Sequence, residues 1–127
     1  MDANEEYVRQ RWIDVALWDR DFSPYTVNLR YEVEIVSHPG NFFCFHGAKH
    51  SEAWSAARAF TEAREEEIRQ VEEEIALLNL EFWEMHGEIR LATMVEQYTP
   101  LVRELCRWAR ILAREQAALA ELKRGMK

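Results

Sequence analysis

Cysteine is scarce in this chain of 127 residues, with only Cys44 and Cys106. Two such residues build no disulfide framework, and a reducing, cytoplasmic compartment is the expectation. Glycine is nearly as rare, at four, and none is grouped into a phosphate-cradling loop. No nucleophile elbow and no Cys-x2-Cys pair is present. No run of about 18 apolar residues occurs, so a transmembrane helix is not expected. The first 25 residues lack a basic start followed by an apolar stretch, which argues against a secretory leader. These absences weigh against an enzyme, and no cofactor is implied.

Charge is abundant but unevenly placed. The net charge is −7. Residues 51–98 hold 12 acids against 4 bases, and residues 99–127 hold 3 against 7. Residues 1–50 hold 8 against 5. The two C-terminal segments therefore differ in sign, which favours their pairing and disfavours direct nucleic-acid binding.

Asn4 ahead of Glu5 and Glu6 reads as a helix start, with acids near the positive end of the dipole. Val8, Trp12, Val15, Trp18 and Phe22 recur at helical spacing, predicting one helix over 4–20 that Ser23-Pro24 ends. Val27, Leu29, Tyr31, Val33 and Ile35 then alternate with polar residues, the mark of a strand with one buried face. His38-Pro39-Gly40-Asn41 is a turn, and 42–46 is a second strand, giving a β-hairpin over 26–47. A two-stranded hairpin is marginal in water, so it needs a helix on its apolar face or strands from another copy.

Ser51 is a plausible N-cap for a long helix over 51–98. Ile68, Val71, Ile75, Leu78, Phe82, Met85, Ile89 and Ala92 follow an unbroken 3-4 spacing. Trp54 and Ala57 keep the phase upstream, and Arg64 interrupts it. Thr99-Pro100 reads as a cap and first-turn proline, opening a second helix over 100–124 that Gly125 ends. A reversal at 99 pairs residues whose numbers sum to about 199. It would set Arg103 by Glu96, Arg110 by Glu88 and Arg114 by Glu84 or Glu81. It also leaves the long helix overhanging by roughly 35 Å. The fold class is α+β and mainly α, in a single domain.

Arg103, Arg107, Arg110 and Arg114 share one helical face. Guanidinium groups suit phosphate because they donate paired hydrogen bonds and stay charged. With Phe82, Trp83 and His86 near the level of Arg114, they make a candidate nucleotide site, unless the arginines simply pair with the facing glutamates. A metal set is a second candidate: Cys44, His46 and His50, with His38 or Cys106 as a fourth ligand. Against it, Gly47 separates the histidines, and Cys44 between Phe43 and Phe45 reads as a small buried residue. Metal binding is therefore not expected. Glu65 to Glu67 and Glu72 to Glu74 form an acidic face that suits a basic protein partner.

A hairpin ahead of two long helices, with Arg110 and Arg114 on the last helix and Phe82 on the one before it, resembles the phage anti-Thoeris sponge proteins. These capture a cyclic ADP-ribose signal, form oligomers and catalyse nothing. The resemblance spans residues 25–124 and is architectural. It implies that Arg110 and Arg114 hold the ligand and that Phe82 stacks on it.

The function expected is thus non-enzymatic sequestration of an anionic nucleotide by a homo-oligomer, most simply a dimer. The ligand residues would be Arg107, Arg110, Arg114, Phe82, Trp83 and His86. The alternatives are an acidic module that inhibits a nucleic-acid-binding partner, and a purely structural assembly protein.

Overall fold

Asp2 starts the first helix: its Oδ1 accepts a hydrogen bond from the Asn4 amide at 2.7 Å. The cap therefore lies two residues before Asn4. The computed structural model describes residues 2–20, 29–91 and 95–127, with side chains described outside 90–97. The elements are α1 (Ala3–Arg11), β1 (Asp14–Asp19), β2 (Tyr31–His38), β3 (Asn41–Gly47), α2 (His50–Leu91) and α3 (Val95–Leu122).

The N-terminal helix is half the expected length. Trp12 is already extended, and 14–19 form a strand where a helix over 4–20 was predicted. Spacing misled here because Val15 fits both a helical step from Trp12 and a strand alternation with Leu17. The deciding factor is tertiary: β2 offers an open edge, and β1 fills it in antiparallel register, Val15 against Ile35 and Leu17 against Val33. The sheet is three-stranded, in the order β1-β2-β3. Of the segment expected to lead into the hairpin, 21–28 lie outside the described residues. The β2–β3 turn is as predicted, with Gly40 at φ 80° beyond Pro39, as a type II turn requires.

The chain divides into two compact units: Met1–Glu66 with Lys123–Lys127, and Glu67–Leu122. In the first, Val33 and Ile35 of β2 are fully buried against Val8, Trp12, Ala53, Trp54 and Ala57. Alanines at 53 and 57 let the helix approach the sheet closely, while Phe43, Phe45 and Phe60 close the sides. Each large buried side chain contributes about 1.5–3 kcal/mol. The hairpin's apolar face is thus covered from within the same chain, so its need for cover does not call for a second copy.

Polar contacts fix α1 on α2. Glu65 accepts from the Tyr7 hydroxyl at 2.8 Å and pairs with Arg11 at 2.6 Å. Arg58 stacks on Tyr7 and donates to Asn4. Part of the acidic face predicted for α2 is therefore neutralised at home. The C-terminal residues return to this unit, where Ile13 donates to the Gly125 carbonyl at 2.9 Å and Lys127 to that of Arg11 at 2.8 Å.

The second unit is the helical hairpin of α2 and α3, whose helices pack antiparallel. α2 ends at Leu91 and α3 is already under way at Val95, ahead of the helix start expected at Thr99-Pro100; 92–94 lie outside the described residues. Pro100 sits inside α3 as its sixth residue, past the first four N–H groups that have no helical partner, so the helix forgoes one backbone hydrogen bond there. No helix among the described residues is long and apolar enough to cross a membrane.

Candidate functional site

Among its described residues the helical hairpin has no fully buried one; the seam side chains Leu78, Phe82, Met85, Leu105, Trp108 and Leu112 are half-exposed. Two helices present too little surface to enclose a core. Leu77, Leu80 and Trp83 face solvent instead, at 63%, 62% and 66% exposure.

A cleft of about 290 Å³ lies between the helices, lined by Glu74, Leu77, Leu78, Glu81, Trp108, Ile111 and Glu115. These residues indicate the pairing: Glu74 interacts with Glu115, and 74–81 of α2 share the lining with 108–115 of α3. Facing residues sum to about 188 rather than 199, because α3 begins earlier. Three expectations change as a result. Arg114 lies level with Glu74, roughly 12 Å along the axis from Phe82. The expected pairings of Arg110 with Glu88 and of Arg114 with Glu84 or Glu81 are not made; Glu96 lies outside the residues whose side chains are described. Leu122 reaches the level of Glu67, so α3 accompanies the whole hairpin unit, and the stretch of α2 beyond it shortens from the roughly 35 Å expected to about 25 Å.

The arginines do share a face. Arg103, Arg107, Arg110 and Arg114 are all exposed, on the side of α3 opposite the seam of Leu101, Leu105, Trp108 and Leu112. Arg107 lies 3.8 Å from Glu104 on its own helix. Arg110 and Arg114 make no ion pair with any described residue. Among the described residues, Arg110 and Arg114 therefore do not pair with the facing glutamates.

Phe82, Trp83 and His86 form a small aromatic array. The Phe82 and Trp83 centroids are 6.1 Å apart at 88°, and those of Trp83 and His86 are 5.7 Å apart at 64°. Edge-to-face contacts of this kind suit the ring quadrupoles. Trp83 offers an open ring face to solvent. Within one chain the array and the outward arginines do not converge.

The cleft itself is acidic. Glu115 shares a hydrogen bond with Glu74, which together with burial and the Glu74 charge pushes its carboxyl above the ordinary glutamate value of 4.5. A group raised in the folded state contributes stability below its unfolded value, and that contribution is lost as pH rises through the folded value. The helical hairpin is therefore expected to resist urea better just below pH 4.5 than its charge alone dictates. Glu115→Gln should flatten that dependence and stabilise the hairpin at neutral pH. Parallel unfolding-versus-pH curves for the two proteins would remove the carboxyl pair from consideration.

The candidate metal set weighed from the sequence is dispersed. His50 opens α2 and stands edge-on to Tyr31 at 4.2 Å, on the core side of the sheet. His38 hydrogen-bonds Ser37 and Asn41 at the turn. Cys106 is exposed on α3. Cys44 and His46 stay together, but their neighbours are Glu32 and Glu34 on β2. Cys44 is not the buried packing residue expected. Phe43 and Phe45 take the core face, so strand alternation turns Cys44 to the other one. Glu32 and Glu34 were recognisable as the outward set of β2; what was missed is that they lie directly across from His46 and Cys44. No known protein family, curated protein or solved structure matches this chain.

Proposed function

We propose that this is a non-enzymatic, oligomeric binding protein that sequesters an anionic nucleotide on the arginine face of α3, as a phage-encoded counter-defence sponge would. One observation carries the reading: Arg110 and Arg114 are exposed, adjacent on one face and without an ion-pair partner among the described residues. Unpaired guanidinium groups one turn apart are suited to phosphate. Phe82, Trp83 and His86 supply the stacking surface for the base. Because one chain does not bring them to the arginines, a complete site takes both parts from different copies. The exposed Leu77, Leu80 and Trp83 give such copies an apolar surface to share.

Native mass spectrometry of gently purified protein, then with cyclic ADP-ribose isomers and cyclic dinucleotides added, tests this directly. The expected result is an oligomer that takes up nucleotide stoichiometrically. Charge reversal at Arg110 and Arg114 together removes two charge-assisted contacts of about 1.5–3 kcal/mol each. Affinity should fall by about a hundredfold or more, with helix content retained. A monomer, or uptake unchanged by the double reversal, refutes the proposal.

A second reading rests on the cleft. Glu74, Glu81 and Glu115 surround an apolar slot floored by Trp108, which suits a basic side chain from a protein partner. That reading predicts salt-sensitive binding, lost on Glu74→Gln with Glu81→Gln and indifferent to Arg110.

A further inference from the structure

The outer face of the three-stranded sheet carries an unusual set of side chains. Val33 and Ile35 of β2, with Phe43 and Phe45 of β3, point to the core. Alternation therefore sends Glu32, Glu34, Cys44 and His46 to the opposite face. The antiparallel register sets Glu32 across from His46 and Glu34 across from Cys44. Directly opposed Cβ atoms in such a ladder lie about 4.5–5.5 Å apart, so all four donors converge on one small area.

We propose that this face is a divalent transition-metal site, with Zn²⁺ the ion its donors suit, held by Cys44, His46, Glu32 and Glu34. One ligand atom each from Glu32, Glu34 and Cys44 already lies within 4.8 Å of the other two. Around a tetrahedral zinc, with bonds of about 2.0–2.3 Å, ligand atoms stand roughly 3.3–3.8 Å apart. Small side-chain rotations close that difference. His46 stands at the edge of this trio, with its Nε2 2.9 Å from Glu32 Oε1, so a rotation of the ring is needed to bring it to the same ion.

The hydrogen bonds show where an ion fits. Glu32 is the hub: Arg20 donates to its Oε2 at 3.0 and 3.3 Å, His46 meets its Oε1 at 2.9 Å, and the Cys44 sulfur stands within 4.8 Å. Burial alone would raise the Glu32 carboxyl, yet these contacts together hold it below the ordinary range. The Cys44 thiol is pushed up by burial and by the charges of Glu32 and Glu34. A dication placed among them takes over the positions of the hydrogens now shared with Glu32 and displaces the thiol proton to solvent. Two carboxylates, one thiolate, Arg20 and the dication then sum to zero charge. Arg20 remains on the outer oxygen of Glu32 and orients it, as outer hydrogen-bond partners do at metal sites.

The mixture of donors separates this cluster from an ordinary acidic surface. Sulfur and imidazole nitrogen select a borderline ion over calcium or magnesium, which take oxygen alone. Cross-strand placement holds the ligands on rigid backbone.

The test is a cobalt titration of the full chain carrying Cys106→Ala, so that Cys44 is its one thiol. The expected result is one equivalent of Co²⁺ with a sulfur-to-metal charge-transfer band and tetrahedral visible bands, all displaced by Zn²⁺. Adding Cys44→Ser should abolish the charge-transfer band. Glu34→Gln should weaken binding on the order of 10- to 100-fold, at least what loss of an outer partner costs. Circular dichroism should show both variants folded. Lack of a thiolate band at saturating cobalt overturns the site. So does a band that survives Cys44→Ser, or an affinity unmoved by Glu34→Gln.

Discussion

Trp12→Ala is expected to destabilise the sheet-containing unit by about 3–5 kcal/mol, a large share of the roughly 5–15 kcal/mol typical of a domain. Trp12 is 1% exposed and one of the largest side chains in the core. Its ring lies 6.2 Å from both Phe43 and Phe60, so it joins the sheet to α2. Its Nε1 donates to Thr61 Oγ1 at 2.9 Å, and Thr61 in turn donates to the Ala57 carbonyl at 2.8 Å. Truncation opens a cavity and leaves the Thr61 oxygen without its donor. Trp12→Phe keeps most of the packing and loses only the hydrogen bond, so about 1–2 kcal/mol is expected. Urea unfolding gives the totals. Amide exchange at Val33 and Ile35 reports on this unit alone. A loss below about 1 kcal/mol for the alanine variant would mean that Trp12 does not anchor this core.

Gly125→Ala should cost about 2–4 kcal/mol, far more than the same change at Gly40. Both glycines have positive φ, 82° and 80°, so both variants bear about 1–2 kcal/mol for a left-handed backbone. Surroundings separate them. A Cβ at Gly40 meets nothing within 4 Å. A Cβ at Gly125 would lie 2.7 Å from the Ser37 Cα, and 2.9 Å from both the Ser37 and Val36 carbonyl oxygens. Those are backbone atoms of β2 and cannot rotate aside. Relief requires the C-terminal residues to leave the sheet, breaking the bonds to Ile13 and Arg11 and the Trp12–Met126 bridge. Hydrogen exchange should show the Ile13 and Lys127 amides losing protection in Gly125→Ala and keeping it in Gly40→Ala. Equal costs at the two sites would show that the backbone term dominates.

The metal cluster and the arginine face show how far local pattern reaches. Period-two alternation in β2 and β3 is enough to assign Glu32, Glu34, Cys44 and His46 to one side of a sheet. It does not supply their neighbours, which depend on the register of pairing. The arginine stripe is likewise legible from spacing alone, since four residues at steps of four, three and four must share a face. What they face depends on where the chain reverses. Thr99-Pro100 carries a strong helix-start signal, but the helix begins at Val95 and accommodates Pro100 in its second turn at the loss of one backbone hydrogen bond. The seven-residue seam runs on without noticing the difference. An error of a few residues at a reversal is doubled in the pairing, and this separated Arg114 from Phe82.

By itself the sequence determined the element types with strong periodicity: the β2–β3 hairpin and its turn, the long α2, a returning α3, and the polarity of each face. These depend on neighbours within a turn or a strand. Tertiary structure decided whether 14–19 became helix or strand, because only the open edge of β2 tips an ambiguous spacing. It also decided what covers the sheet, where α2 and α3 meet, and which donors surround Cys44, since each depends on residues distant in the chain and close in space.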